Sequence, residues 1–270
     1  NFISKRLHNR FYSMKTVIFM HGILGDERTW QNAFQYLPDN INAISYSMLG
    51  FGDNSQNSSI EQFNTTTHAS ELIQFCQSLD HGKVSIVAWS YSCHVVLLAA
   101  LQAPELFETI HLYDCIVPSY GLDNNHDAFK SFSRDLNQMM SPVIKAIRTQ
   151  DSETIINAFV LACSEQNLTL SDQDTRIQII KRNNAHTVSR LLTQAEPTKI
   201  TTEMLKILKV PCGIYWGENS RTIFKLASQA LYQHLPDKMR LNNSGAISHA
   251  NHLLPEESPK LFIQHAFIHN

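Results

Sequence analysis

The sequence predicts an α/β fold: a mostly parallel, twisted sheet with helices on both faces and one all-helical insertion. Three observations predict it. Strand and helix patterns alternate three times before residue 115, the signature of βαβ units. From about Pro118 to Thr202 the alternation stops and only helical periodicity remains. It resumes at Cys212-Gly213-Ile214-Tyr215-Trp216.

Thr16-Val17-Ile18-Phe19-Met20 is an unbroken apolar or β-branched run and reads as a buried strand, ended by His21-Gly22. Thr29 to Leu37 reads as a helix stopped at Pro38. Ile41 to Tyr46 is the second strand. It leads into the glycine-bearing loop Leu49-Gly50-Phe51-Gly52-Asp53-Asn54-Ser55. From His68 to Leu79, the residues Ala69, Leu72, Ile73, Cys76 and Leu79 share one helical face. Asp80-His81-Gly82 closes that helix. Val84 to Val87 is the third strand, followed by a helix to about Gln102 that stops before Pro104. Thr109 to Tyr113 is the fourth strand, ending at Asp114.

In the insertion, helices are expected over Asp127–Arg148, with a break near Pro142, over Asp151–Ser164 and over Asp172–Gln194. After the Cys212 strand come a helix over Arg221–Leu235, a short strand over Lys238–Leu241 and a last helix over Pro259–Ile268. The expected division is 1–117 for the first part of the core, 118–202 for the helical insertion and 203–270 for the second part.

Composition narrows the function. The 270 residues are 43% hydrophobic and 17% charged, with a net charge of −2 from 22 basic and 24 acidic residues. That balance gives no basic surplus for nucleic acid. No run approaches the roughly 20 apolar residues of a membrane span. Five scattered cysteines form no CxxC pair, so they read as reduced thiols of a cytoplasmic protein. The 13 histidines are dispersed, and neither a metal nor a cofactor is expected. Asn1 to Met14 mixes Lys5, Arg6 and Arg10 with Phe2, Ile3, Leu7 and Phe11. It reads as a short element packed on the domain rather than a membrane-touching arm, and it lacks the apolar centre of a secretion signal.

The chemistry centres on Val84-Ser85-Ile86-Val87-Ala88-Trp89-Ser90-Tyr91-Ser92. A strand ends in a serine flanked two residues away by small residues, and a helix follows. This is the pattern of a nucleophile elbow, with Ala88 and Ser92 where glycines usually stand. Taken alone, the pattern is also that of a strand-to-helix turn capped by serine. Other segments in order distinguish the two: His21-Gly22-Ile23-Leu24-Gly25 after the first strand, Gly50-Phe51-Gly52 after the second, Gly217-Glu218-Asn219-Ser220 late in the chain, and Asn251-His252 before Pro259.

Together these segments resemble the α/β-hydrolase superfamily, in its capped branch of serine esterases and lactonases, over nearly all of residues 16–270. The resemblance implies the α/β-hydrolase fold with residues 118–202 as a helical cap. It implies Ser90 as nucleophile and the backbone N–H groups of Ile23 and Tyr91 as oxyanion hole. Two histidines, His249 and His252, stand in the base region, and the spacing to Pro259 points to His252. The family's later acid slot, Gly-x-x-Asp, holds Ser220 here. Two carboxylates remain for the role: Asp114, at the end of the preceding strand, is preferred over Glu218. Gly22, Trp30, Trp89 and Met139 are expected to wall the substrate site. The cap's Phe and Met content suits an apolar pocket. The substrate implied is a small molecule with an apolar acyl chain, an ester, thioester or lactone, and the cap layout is loosely similar to that of acyl-homoserine lactonases. A non-catalytic small-ligand receptor or a C–C bond hydrolase would use the same fold.

Overall fold

The computed structural model describes residues 14–57, 59–80, 82–116, 122 and 125–268. The N-terminal stretch up to Ser13, His81, the end of the first core part at residue 117 and the start of the expected insertion at residues 118–121 lie outside the described residues.

Six strands form one sheet: β1 (Lys15–Met20), β2 (Ile41–Tyr46), β3 (Val84–Trp89), β4 (Phe107–Tyr113), β5 (Cys212–Gly217) and β6 (Gly245–Ile247). Their order is β2-β1-β3-β4-β5-β6, and every neighbouring pair is parallel. All six residues of β3 are buried. A central parallel strand is covered on both faces, which is why its sequence is continuously apolar rather than alternating.

The chain leaves β1 toward one edge and β3 toward the other. Helix α1 (Thr65–Ser78) follows β2, and α2 (Tyr91–Gln102) follows β3. The order therefore reverses between β1 and β3, and the crevice beyond their carboxyl ends is where open α/β sheets bind ligands. His21-Gly22 and Ser90 stand at those two ends.

Between β4 and β5 lie α3 (His126–Ile147), α4 (Ser152–Ser164), α5 (Thr175–Asn183), α6 (His186–Thr193) and α7 (Thr202–Lys206). After β5 come α8 (Thr222–His234), α9 (Leu254–Glu257) and α10 (Pro259–Ile263). The α3–α4 end is tied to the core by Arg221, whose guanidinium holds Asp135 at 2.7 Å and the Ala162 carbonyl at 2.9 Å.

Several local expectations differ from the fold. Thr29–Leu37 is a turn and a 3-10 helix over Gln31–Tyr36, not an α-helix. Pro142 does not break α3. It sits on the exposed face, where water can meet the carbonyl it leaves unpaired, while Phe132, Met139, Val143 and Ala146 hold the buried face. The helix expected over Asp172–Gln194 divides at Asn184. That side chain donates to Asp26 Oδ2 (2.7 Å) and accepts from the Gly52 amide (2.8 Å), so it is committed to the core. Lys238–Leu241 contributes only a bridge between Cys212 and Arg240. The last strand is instead the three-residue β6, too short for periodicity to reveal. The final helix also divides, ending in a π-turn over Gln264–Ile268. All five cysteines are buried and free. Among the described residues, no helix is long and apolar enough to cross a membrane.

Candidate active site

Ser90 joins β3 to α2 with φ 57° and ψ −117°. A non-glycine residue adopts that conformation only when its surroundings impose it. The Ser90 amide donates to the Tyr113 carbonyl at 3.0 Å. Ser92, where the family pattern has glycine, braces the turn: its hydroxyl accepts from the Trp89 amide at 3.1 Å and lies 3.3 Å from the Met20 carbonyl. The first helical amide of α2 belongs to Tyr91, and amides at a helix start have no intrahelical acceptor.

The loop after β1 lies against this turn. A Cβ on Gly22 would stand 3.3 Å from both Ser90 Cβ and the Trp89 carbonyl oxygen, so a side chain there would press on the turn by a few tenths of an ångström. His21 fixes that loop. Its Nε2 accepts the Met48 amide at 3.2 Å, so Nδ1 carries the proton and donates to the Gly22 carbonyl at 2.9 Å. Burial pushes the His21 pKa down to about 4, which keeps the ring neutral.

His252 and Asp114 meet from positions 138 residues apart in the sequence. His252 Nδ1 lies 2.9 Å from Asp114 Oδ2, and both side chains are buried. Asp114, at the end of β4, accepts from the Gly217 amide at Oδ1 (3.1 Å) and from the Ser220 hydroxyl at Oδ2 (2.6 Å). The serine in the Gly-x-x-Asp slot thus supports a carboxylate that comes from the neighbouring strand. Phe224 stacks on the His252 ring at 3.9 Å and 10°. The Tyr113 hydroxyl donates to the Asn251 carbonyl and anchors the loop. A Cβ on Gly217 would sit 2.5 Å from the Ala250 carbonyl oxygen, so glycine is required where this loop crosses β5.

Glu218 is not brought to His252. It is exposed, and its Oε2 accepts the His249 amide at 3.0 Å. His249 is likewise exposed, with φ 60°. Trp30 does not wall the site either. It is buried between Phe19 and Phe262, and its indole N–H donates to the Met20 carbonyl at 3.0 Å. A tryptophan near a functional loop is as often core as pocket, and nothing local to the sequence distinguishes the two.

Two cavities meet at Ser90. One of about 420 Å³ is lined by Leu136, Met139, Met140, Phe159, Leu191 and Phe224, among others. The other, about 20 Å³, is lined by Gly22, Trp89 and His252. Ser90, Ile23, Phe159 and Cys163 line both. A groove of about 530 Å³ at the opposite ends of the strands contains none of the candidate residues.

Sequence reasoning passed over His68, which holds Tyr91. Its Nε2 lies 2.9 Å from the Leu49 carbonyl and its Nδ1 3.1 Å from the Tyr91 hydroxyl. Burial pushes His21, His68, His94 and His111 each from 6.5 down to about 4. Between those values the unfolded chain binds protons that the folded chain refuses. Stability is therefore whole above pH 6.5 and falls as pH drops toward about 4, by at most about 1.4 kcal/mol per pH unit for each histidine. Urea unfolding midpoints should decline steadily below pH 6.5; a flat profile down to pH 4.5 would contradict the buried neutral rings.

Comparison with known proteins gives the class. Residues 15–259 match the family described as the alpha/beta hydrolase fold, so the chain belongs to that family. Among particular relatives, it is 29% identical over 104 residues to ethanol acetyltransferase 1 of Kluyveromyces lactis, which is 38% of this chain and 28% of that protein. The match spans between 28% and 37% of the ethanol acetyltransferases it resembles. An uncharacterized hydrolase of Bacillus subtilis, YugF, is 24% identical over 260 residues, covering 93% of this chain and 88% of that one. The structure of a bromoperoxidase from Bacillus anthracis superposes with a TM-score of 0.71 at 18% identity, covering 93% and 89%. That likeness is one of fold.

Proposed function

We propose that the protein is a serine hydrolase of carboxylic esters, open-chain or lactone, that works through an acyl-enzyme. The observation that carries this reading is the Asp114–His252 contact at 2.9 Å beside the strained Ser90 turn, with Ser90 and His252 on one cavity. With its Nδ1–H donated to Asp114, His252 presents Nε2 as a base. Ser90 Oγ attacks the ester carbon and its proton passes to Nε2. The carbonyl oxygen takes the negative charge against the Ile23 and Tyr91 amides. The alcohol leaves with the proton from Nε2, and water then repeats the sequence to release the acid.

The acyl chain fits the larger cavity, whose lining among the described residues includes no Lys, Arg, Asp or Glu. An uncharged apolar chain is the occupant that lining favours. Residues 118–202 serve in this reading as the cap over the site. The similarity to ethanol acetyltransferase 1 supports a second reading, in which an alcohol replaces water in the second half-reaction.

Intact mass after a fluorophosphonate probe tests the first reading. One adduct on the wild type and none on Ser90→Ala is expected. A folded wild type that takes no adduct would overturn the reading in favour of a ligand-binding protein. Product analysis of p-nitrophenyl esters and acyl lactones, with and without ethanol, then separates hydrolysis from transfer.

A further inference from the structure

The smaller cavity holds an ion pair that the reaction scheme does not yet use. Lys181, on α5, and Glu256, on α9, approach to 2.5 Å with side chains only 3% and 5% exposed. Both line the 20 Å³ space shared by Ser90, His252 and the oxyanion loop. Buried ion pairs repay their desolvation poorly, so stability alone is a weak reason for one here. An ammonium has three N–H donors. Lys181 Nζ gives one to Glu256 Oε2 and one to Gln173 Oε1 at 2.6 Å. Among the described residues, no protein group accepts the third. A cavity of about 20 Å³ exceeds the roughly 10–15 Å³ that one water needs, and a buried water needs two to four polar partners.

We propose that this cavity holds the water that hydrolyses the acyl-enzyme, and that Lys181 is its positioning residue. The inference rests on the Ser90 reading. The third Lys181 N–H donates to the water oxygen. One water O–H then turns to His252 Nε2, and the remaining lone pair faces the acyl carbon. The water oxygen bonds to that carbon as its proton passes to Nε2. The tetrahedral intermediate breaks its bond to Ser90 Oγ, which recovers the proton from Nε2, and the carboxylic acid leaves. Glu256 keeps the ammonium fixed and its charge balanced.

Two measurements test this. In a high-resolution crystal structure of the wild type, an ordered water is expected about 2.7–3.2 Å from Lys181 Nζ in this cavity; a dry cavity overturns the proposal. The double variant Lys181→Met/Glu256→Gln removes the donor without leaving a buried charge unpaired. With p-nitrophenyl acetate, whose acylation is fast, kcat reports deacylation and kcat/KM reports acylation. The expected result is a fall in kcat of about tenfold or more with KM falling alongside it. Equal losses in kcat and kcat/KM with KM unchanged would show a structural clamp and overturn it. Fluorophosphonate labelling of the wild type is read separately: if it fails, the Ser90 reading fails, and this inference with it.

Discussion

Ser90→Ala is expected to lower kcat/KM for an ester by about 10⁴-fold or more, because no other group can then form the acyl bond. The loss should come without unfolding. Among the described residues, no hydrogen bond to Ser90 Oγ holds the turn; the Ser90 amide does so through the Tyr113 carbonyl, together with the Ser92 hydroxyl. Ser90→Gly separates chemistry from strain. It should be equally inactive yet melt higher, since φ 57° with ψ −117° costs a side-chain-bearing residue about 1–3 kcal/mol. Thermal melts beside ester assays check both. An active Ser90→Ala would remove the nucleophile assignment, and an unchanged Ser90→Gly melting temperature would remove the strain. His252→Ala should match Ser90→Ala in activity, whereas His249→Ala, altering an exposed side chain, should change the rate little.

Asp114→Asn should lower kcat by about 10³–10⁴-fold, and Glu218→Gln by less than about threefold. The asparagine would keep the shape but lose the charge that stabilises the imidazolium, and its amide group would favour the wrong tautomer. It would also weaken the acceptor for the Gly217 amide and the Ser220 hydroxyl. Glu218 contacts the loop backbone at His249 rather than the base. Steady-state kinetics of the two variants decide between them; the reverse ranking would move the acid to Glu218.

Much of the fold was legible because its signals are local. A covered parallel strand must be apolar along its length, so β1, β3 and β5 could be read within a residue or two. The elbow was legible because a turn that tight tolerates only small residues at positions 88 and 92. Segments whose form depends on distant partners were not legible. Asn184 breaks a helix because Asp26 and Gly52 claim its side chain. The strand β6 is set by register against β5 and not by its own three residues.

The sequence by itself determined the α/β alternation, the helical insertion, the serine at its turn and the order of the remaining motifs. Each of these is written in neighbouring residues. The tertiary structure decided which carboxylate meets the histidine, since Asp114 and His252 are 138 positions apart and spacing along the chain leaves both acids available. It also decided that Ser220 supports that carboxylate, that Trp30 packs in the core, and that Lys181 reaches the space beside Ser90. These are contacts between elements remote in sequence, fixed by how the sheet and the insertion pack together.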